Sequence, residues 1–325
     1  MLNRREVIGL GLGATAATLS VPSFAQTYPD RPVNLIIAAP AGGLTDVGAR
    51  ILTAVAEKLL GQPIVVLNKP GAGGQVGWTE IARSKPDGYT IGFIVMPGTN
   101  AVILDPERKA VFTEKSYAPI INHVADPGVI WVRADSPYKT LKDLLEDAKQ
   151  KPNTIRAATT GILGDDHLNI LMAEEAYPGA AFRIVHLEGS ITQLKEILGG
   201  NIDVAFDNVG SVVKPLKAGQ VRVLAVTDNI RSKFLPDIPC TAELGYPTII
   251  SSSTRAIVAP AGTPQPMIAK LADAFAKAMA DADHVKRLEE QGLTIKPMVG
   301  EEFAKFYIEA HEKARKYVDW ARKRS

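Results

Sequence analysis

The stretch VNLIIAAPAGGLTDVGARILTAVAEKLLG, from Val33 to Gly61, decides the fold. Val33 to Ala38 is an apolar run that stops at the turn Pro40-Ala41-Gly42-Gly43, as a buried strand does. Leu44, Val47, Ile51, Val55 and Leu59 then recur at helical spacing, and Gly61 ends the helix. Working outward, Ile64 to Leu67 reads as the next strand. A glycine loop, Pro70 to Gly74, leads into a helix around Trp78, and Thr90 to Val95 forms a third strand. Strand and helix alternating in this way predict an α/β fold with a parallel, doubly wound sheet.

The middle of the chain repeats the pattern. Thr140-Leu141-Lys142-Asp143 has capping-box spacing and opens a helix to about Lys151. Ile155 to Ala158, Arg183 to His186, Ile202 to Phe206 and Val221 to Val226 read as strands, with Gly199-Gly200 and Ala218-Gly219 ending the helices between them. Beyond Val226, prolines at 236, 239, 247, 260, 264 and 266 mark a loop-rich section. Helical patterns then cover roughly 266–280, 283–291 and 301–322, which predicts a return onto the first part of the fold.

The amino terminus follows a different logic. Arg4-Arg5, the apolar run Val7 to Leu19 and the small-x-small site Ser23-Phe24-Ala25 read as a secretory leader over residues 1–25. Its apolar part is too short and too glycine-rich for a stable membrane span. The arginine pair is also compatible with twin-arginine export. Removal of the leader takes away Arg4, Arg5 and Glu6, leaving 35 basic and 34 acidic side chains. That near balance offers no electrostatic case for nucleic acid or an anionic membrane as partner. The 300 remaining residues favour two lobes over a single core. Cys240, the sole cysteine, rules out an internal disulfide and reads as a small semi-buried hydrophobe.

A search for catalytic chemistry finds little. The five histidines lack zinc spacing, and His284 and His311, in charged helices, are expected in solvent. There is no Gly-x-Ser-x-Gly elbow and no phosphate loop. Gly71 to Gly77 has the wrong glycine spacing for a dinucleotide fingerprint, so no cofactor is expected. What remains is general: two glycine loops, each between a strand end and a helix start, where a ligand can meet bare backbone and the positive end of a helix. Asp165-Asp166-His167 is the most enzyme-like cluster, set against the alternative that an Asp simply caps the helix beginning there.

With these loops placed, the chain resembles the substrate-binding proteins of tripartite tricarboxylate transporters, the Bug family. The likeness begins at Tyr28-Pro29-Asp30-Arg31-Pro32 and continues through Pro40-Ala41-Gly42-Gly43-Leu44-Thr45-Asp46. It runs on through Asn68-Lys69-Pro70-Gly71-Ala72-Gly73-Gly74, Lys85-Pro86-Asp87-Gly88-Tyr89-Thr90 and Leu198-Gly199-Gly200. Phe206-Asp207-Asn208 and Ala259-Pro260-Ala261-Gly262-Thr263-Pro264 complete it in order. The resemblance implies a two-lobed periplasmic-binding-protein fold of type II (Venus flytrap), mainly parallel doubly wound sheets with two crossover strands. Strand reading puts the crossovers near Val129–Val132 and Val223–Val226. The lobes are then expected as 27–127 plus 228–325, and 128–227.

The resemblance also implies a periplasmic receptor, a monomer, that captures a small mono- or dicarboxylate for a membrane permease. Main-chain groups of the first loop would hold the carboxylate, which carries over to Ala41, Gly42, Gly43 and Asp46. Thr99 would join from the first lobe, and Thr160, His167, Ser190 and Asp207 from the second. Two departures leave the ligand open. Asp165-Asp166 stands where family members carry small hydroxyl residues, and Thr254-Arg255-Ala256 replaces an aromatic-x-Gly triplet. If an Asp and Arg255 both face the cleft, the pocket is amphoteric and suits a carboxylate with a donor or cationic group, such as an amino acid. The alternative has both acids capping their helix in solvent and Arg255 reaching the surface. A ligand sensor serving a signalling partner, and a periplasmic enzyme using Asp165, His167 and Asp207, are the rival functions.

Overall fold

The structure, a computed structural model, describes residues 28–324; the leader read at 1–25 lies outside the described residues. β1 (Val33–Ile37) lies between two parallel neighbours, β2 (Ile64–Asn68) and β3 (Thr90–Met96). Leu35, Ile36 and Ile37 are all buried, because a central parallel strand is covered on both faces and tolerates no polar alternation. α1 (Leu44–Leu60) covers one face, packing Ala49, Leu52 and Ala56 against Leu35 and Ile37, and Gly61 ends it in the left-handed conformation at φ 73°. α2 (Gln75–Arg83) covers the other face through Trp78 and Ile81, against Ile36 and Ile94. Glycine lets α2 lie this close: a Cβ on Gly77 would come within 2.7 Å of the Ala38 Cβ.

After α3 (Gly98–Leu104) comes β4 (Tyr117–Arg133), the strand that joins the two halves. Its residues 117–127 pair with β9 (Ser252–Pro260) in the first sheet. Residues 128–133 pair with β7 (Val204–Asn208) and β8 (Val221–Thr227) in the second. Together with β5 (Arg156–Thr159), β6 (Arg183–His186) and β10 (Ile295–Val299), the strand order is β2-β1-β3-β9-β4-β7-β5-β6, with β8 and β10 each on β4. The second lobe has its own parallel set, β6-β5-β7, wrapped by α4 (Leu141–Gln150), α5 (Asp165–Ala176), α6 (Gly189–Leu198) and α7 (Val209–Lys217). α4 opens on the reciprocal Thr140–Asp143 capping box that its spacing predicts. The fold is thus the two-lobed periplasmic-binding-protein type.

The lobes meet where β4 and β9 change partners. Gly128 donates to the Ser251 carbonyl at 2.8 Å and Ser251 donates to that of Thr227 at 3.0 Å. A Cβ on Gly128 would stand 2.4 Å from the Thr227 hydroxyl, so only glycine allows this approach. The second crossing therefore lies at 251–252, not at Val223–Val226 as the strand pattern suggests, because β8 pairs with β4 wholly inside the second sheet. The segment between them also packs on the second lobe, through Leu235 and Ile249.

The returning chain adds β9, α8 (Gln265–Met279), α9 (Ala282–Glu289), β10 and α10 (Gly300–Arg324) to the first lobe. Local pattern misses β9 because it starts on Ser252-Ser253-Thr254-Arg255, polar residues whose partners come from distant elements. α10 bridges both halves: Phe303 and Tyr307 pack in the first lobe, Tyr317 and Val318 in the second. His284 is not solvated but fully buried, with its Nε2 3.0 Å from Nε2 of the equally buried His123. His311 is likewise buried, since the inner faces of α9 and α10 press on the sheet despite their charged sequences.

Candidate functional site

The carboxyl ends of β1, β2, β3, β5, β6 and β7 all open onto one cleft between the lobes, with a volume of about 220 Å³. This is where ligands enter open α/β sheets. The first lobe contributes Pro40 and Gly43 from the β1–α1 loop, Leu44 and Thr45 from the first turn of α1, and Gly71, Gly73 and Gly74 from the β2–α2 loop. The second contributes Thr160 to Ile162, Gly164 and Asp165, then Glu188 to Ser190, and Asn208. Ser253 and Arg255 of β9 form the floor at the crossing.

Helix starts dominate this surface. α1, α2, α5, α6 and α7 begin at Gly43, Gly74, Gly164, Glu188 and Asn208, and in none does the side chain of that residue cap its own helix. α4 and α9, which begin away from the cleft, are capped by Thr140 and Asp281. At α7 the Asp126 carboxylate accepts the Gly210 N–H, and at α2 the Gln75 and Val76 N–H groups bond back to the Ala72 and Gly71 carbonyls. Of the remaining starts α1 is the most open, and such a terminus favours an anion by about 0.3–1 kcal/mol when exposed and more when partly buried.

The glycine loops are held by acids inside the helices that follow them. Asp46 accepts the Gly42 N–H at 2.9 Å, both contacts of the Arg50 Nε at 3.0 Å, and the Asn68 amide at 3.0 Å. Burial pushes the Asp46 carboxyl up, but the bonds from Arg50, Gly42 and Asn68 outweigh it and hold the group below the usual carboxylate range. Asp166 does the same for the second lobe, accepting the Thr160 N–H at 3.0 Å and the Thr160 hydroxyl.

Of the residues expected at the site, the cleft brings together Gly43, Thr160, Ser190 and Arg255. Ala41 and Gly42 form the exposed tip of the first loop, outside the lining, and Asp46 lies behind it. Thr99 is fully buried, its hydroxyl tied to the Val95 N–H and carbonyl. Asp207 stands behind the wall, accepting from the Ser190 hydroxyl at 3.3 Å and the Asn208 N–H at 2.7 Å. His167 is also outside the lining; its Nδ1 accepts the Leu163 N–H at 3.1 Å and its ring packs edge-on to His186. The sequence reading did flag the second glycine loop but not Glu188, Asn208 or Ser253. Asn208 ends strand β7 and Glu188 lies two residues past the end of β6, and that place at strand ends is the signal that could have found them.

The charged residues overturn the expectation of acids capping in solvent and an Arg255 at the surface. Gly164, not an Asp, is the helix cap, and Asp165 and Asp166 are 8% and 2% exposed. Arg255 is 4% exposed; one Nη reaches Asp126 at 3.2 Å, while Nε and the other Nη have no partner in the protein. Asp126 also accepts the Gly210 N–H at 3.2 Å, and Asp165 accepts the Asn208 amide at 2.7 Å. Of the four buried carboxyls here, Asp126 pairs with the guanidinium and Asp165 feels its charge. Burial pushes Asp126 up to about 6 against the pull of Arg255, and Asp207 up to about 7. Burial and then the neighbouring Asp165 and Asp207 hold Asp166 well above the ordinary range, and burial raises Asp165 as well. Among the described residues, no group of three or more His, Cys, Asp or Glu side chains is arranged to hold a metal ion, and no helix is long and apolar enough to cross a membrane.

Comparison with known proteins gives a consistent result. The family described as Tripartite tricarboxylate transporter family receptor matches residues 48–320. Protein BugT of Bordetella pertussis (strain Tohama I) is 31% identical over 286 residues, 88% of this chain and 87% of that protein. MatC from Rhodopseudomonas palustris, solved with bound malate, is 25% identical with a TM-score of 0.81, covering 90% of this chain and 100% of that one. An R. palustris protein solved with adipate is 25% identical with a TM-score of 0.83, covering 90% of this chain and 98% of that one.

Proposed function

This chain belongs to the tripartite tricarboxylate transporter receptor family, and from that premise we propose that it is a periplasmic solute-binding protein. It captures a small carboxylate between its lobes and presents it, as a monomer, to a membrane permease. The observation that carries this reading is the convergence of helix starts on one cleft, with that of α1 left open toward it. Such a surface binds an anion through backbone N–H groups without spending a lysine or arginine on it. Malate in one relative and adipate in another support a carboxylate of this size.

In this reading Gly43 and the second glycine loop receive the carboxylate, and Thr160, Ser190 and Arg255 complete the enclosure. The moving bodies are the two sheets with their helices, hinged at 126–128 and 251–252. In this reading the protein acts by binding alone: Nδ1 of His167 already accepts the Leu163 N–H, so in the neutral ring the basic lone pair is engaged by the backbone rather than turned to a ligand's proton. Calorimetry with mono- and dicarboxylates tests the proposal, and mass spectrometry after prolonged incubation should recover the bound compound unchanged. Chemical conversion would make the protein an enzyme. Uptake that survives deletion of the permease would remove the transport role.

A further inference from the structure

The two walls of the cleft differ in polarity. In the first lobe, α2 and α3 carry no acid in their first turn, and the only acid in that of α1, Asp46, is turned back onto its own loop and Arg50. In the second lobe, α5 begins with Asp165 and Asp166, and α6 has Glu188 at its cap. Asp165 and Glu188 both line the cleft. The positive helix ends of the second lobe are therefore already answered by the protein's own acids, while those of the first are not.

Arg255 adds to the positive side. It lines the cleft at 4% exposure with two N–H-bearing nitrogens unpartnered in the protein, and a buried guanidinium left so incompletely bonded needs an acceptor. A carboxylate in the cleft provides one. A simple dicarboxylate spanning the walls would, however, press its second carboxylate on Asp165 and Glu188, a costly like-charge approach in a partly dry cleft. An ammonium at that end meets acceptors instead.

On the footing of the receptor reading above, we propose that the cleft selects an amino-carboxylate, with its carboxylate toward the first-lobe helix starts and Arg255 and its ammonium toward Asp165 and Glu188. Asp165 and Glu188 are then specificity residues, setting which carboxylate is taken rather than whether one is.

The test uses calorimetry at neutral pH on the protein freed of co-purified ligand, with three matched series. These are aspartate, malate and succinate; glutamate, 2-hydroxyglutarate and glutarate; phenylalanine, phenyllactate and 3-phenylpropionate. The amino member of at least one series should bind about tenfold or more tighter than its deamino counterpart, roughly 1.4 kcal/mol. Glu188→Gln, an exposed change that leaves the core untouched, should reduce that ratio severalfold, and adding Asp165→Asn should bring it near one while deamino binding persists. Hydroxy or deamino compounds binding as tightly as the amino members in every series would overturn the amino-carboxylate proposal and leave the receptor reading standing. Binding by none of the nine would overturn both.

Discussion

Arg255 and Asp126 face each other at 3.2 Å, almost wholly buried, at the point where β4 and β9 leave the first sheet. The pair joins the hinge to the cleft floor, since Asp126 also holds the Gly210 N–H and Arg255 lines the cleft. Burial raises Asp126 to about 6 in spite of the guanidinium, so desolvation outweighs attraction here. Removing one partner of such a pair costs roughly 3–5 kcal/mol. Asp126→Ala should fall in that range by urea unfolding. Asp126→Asn should cost less, because its amide oxygen can still accept from Gly210 and from the Arg255 guanidinium, whose charge stays buried in both variants. A cost under about 1 kcal/mol for the alanine variant would contradict this account of the pair.

Acid acts on this protein in two opposed ways. Asp207 has a folded pKa of about 7, above its unfolded value of 3.8, so the native state holds an extra proton between the two. Its contribution is full below the unfolded value and is lost as pH rises toward about 7. His123 and His284 are held below 6.5, chiefly by burial, so their contribution is full above 6.5 and is lost as pH falls. Unfolding curves from pH 4 to pH 8 should therefore show Asp207→Asn gaining stability relative to the parent as pH rises. His284→Gln should gain relative to the parent as pH falls below 6.5. Parallel curves for parent and variant would show that the group does not titrate on unfolding as described.

The two glycines of the first loop should respond differently. Gly43 has φ −71° and a Cβ there would meet only the Pro40 carbonyl, at 3.5 Å. Gly43→Val should therefore leave thermal stability nearly intact while weakening carboxylate binding at least tenfold, by filling the approach to backbone. Gly42 sits at φ +81° in open space, so Gly42→Val should cost about 1–2 kcal/mol through backbone strain alone. Normal binding by Gly43→Val would remove the first loop from the site.

Much of the fold is legible where one face repeats at one period. Val33 to Gly61 announces a strand, a turn and a helix, and Thr140 with Asp143 announces α4. β9 is illegible because Ser253, Thr254 and Arg255 are buried polar residues that look like loop until Asp126 and the cleft are known. The same holds for His284, whose burial depends on His123, far away in sequence. At the site, glycine loops are readable from composition, but the second wall is not. Asp165 looks like a cap until Gly164 takes that place, and Glu188 becomes relevant only once β6 aims it at the cleft.

Lobe closure is the motion on which the receptor reading depends, and the connections restrict it. Two strands cross at 126–128 and 251–252, and α10 lies across both halves, tied to α5 by Lys316 and Glu175. A hinge at those crossings can move the second lobe only if the end of α10 travels with it, because Tyr317 and Val318 are buried in that lobe's core. The bend should then fall between Tyr307 and Tyr317, on the stretch of α10 between its two packing sites. Saturating ligand should reduce the radius of gyration in small-angle scattering, and hydrogen exchange should slow at the first turns of α1, α5 and α6, where backbone N–H groups meet the ligand. Exchange between 308 and 316 should change as well, while the interior of β1 should not. An unchanged radius of gyration with ligand-protected helix starts would mean a cleft that binds without closing, and would remove the hinge from the mechanism.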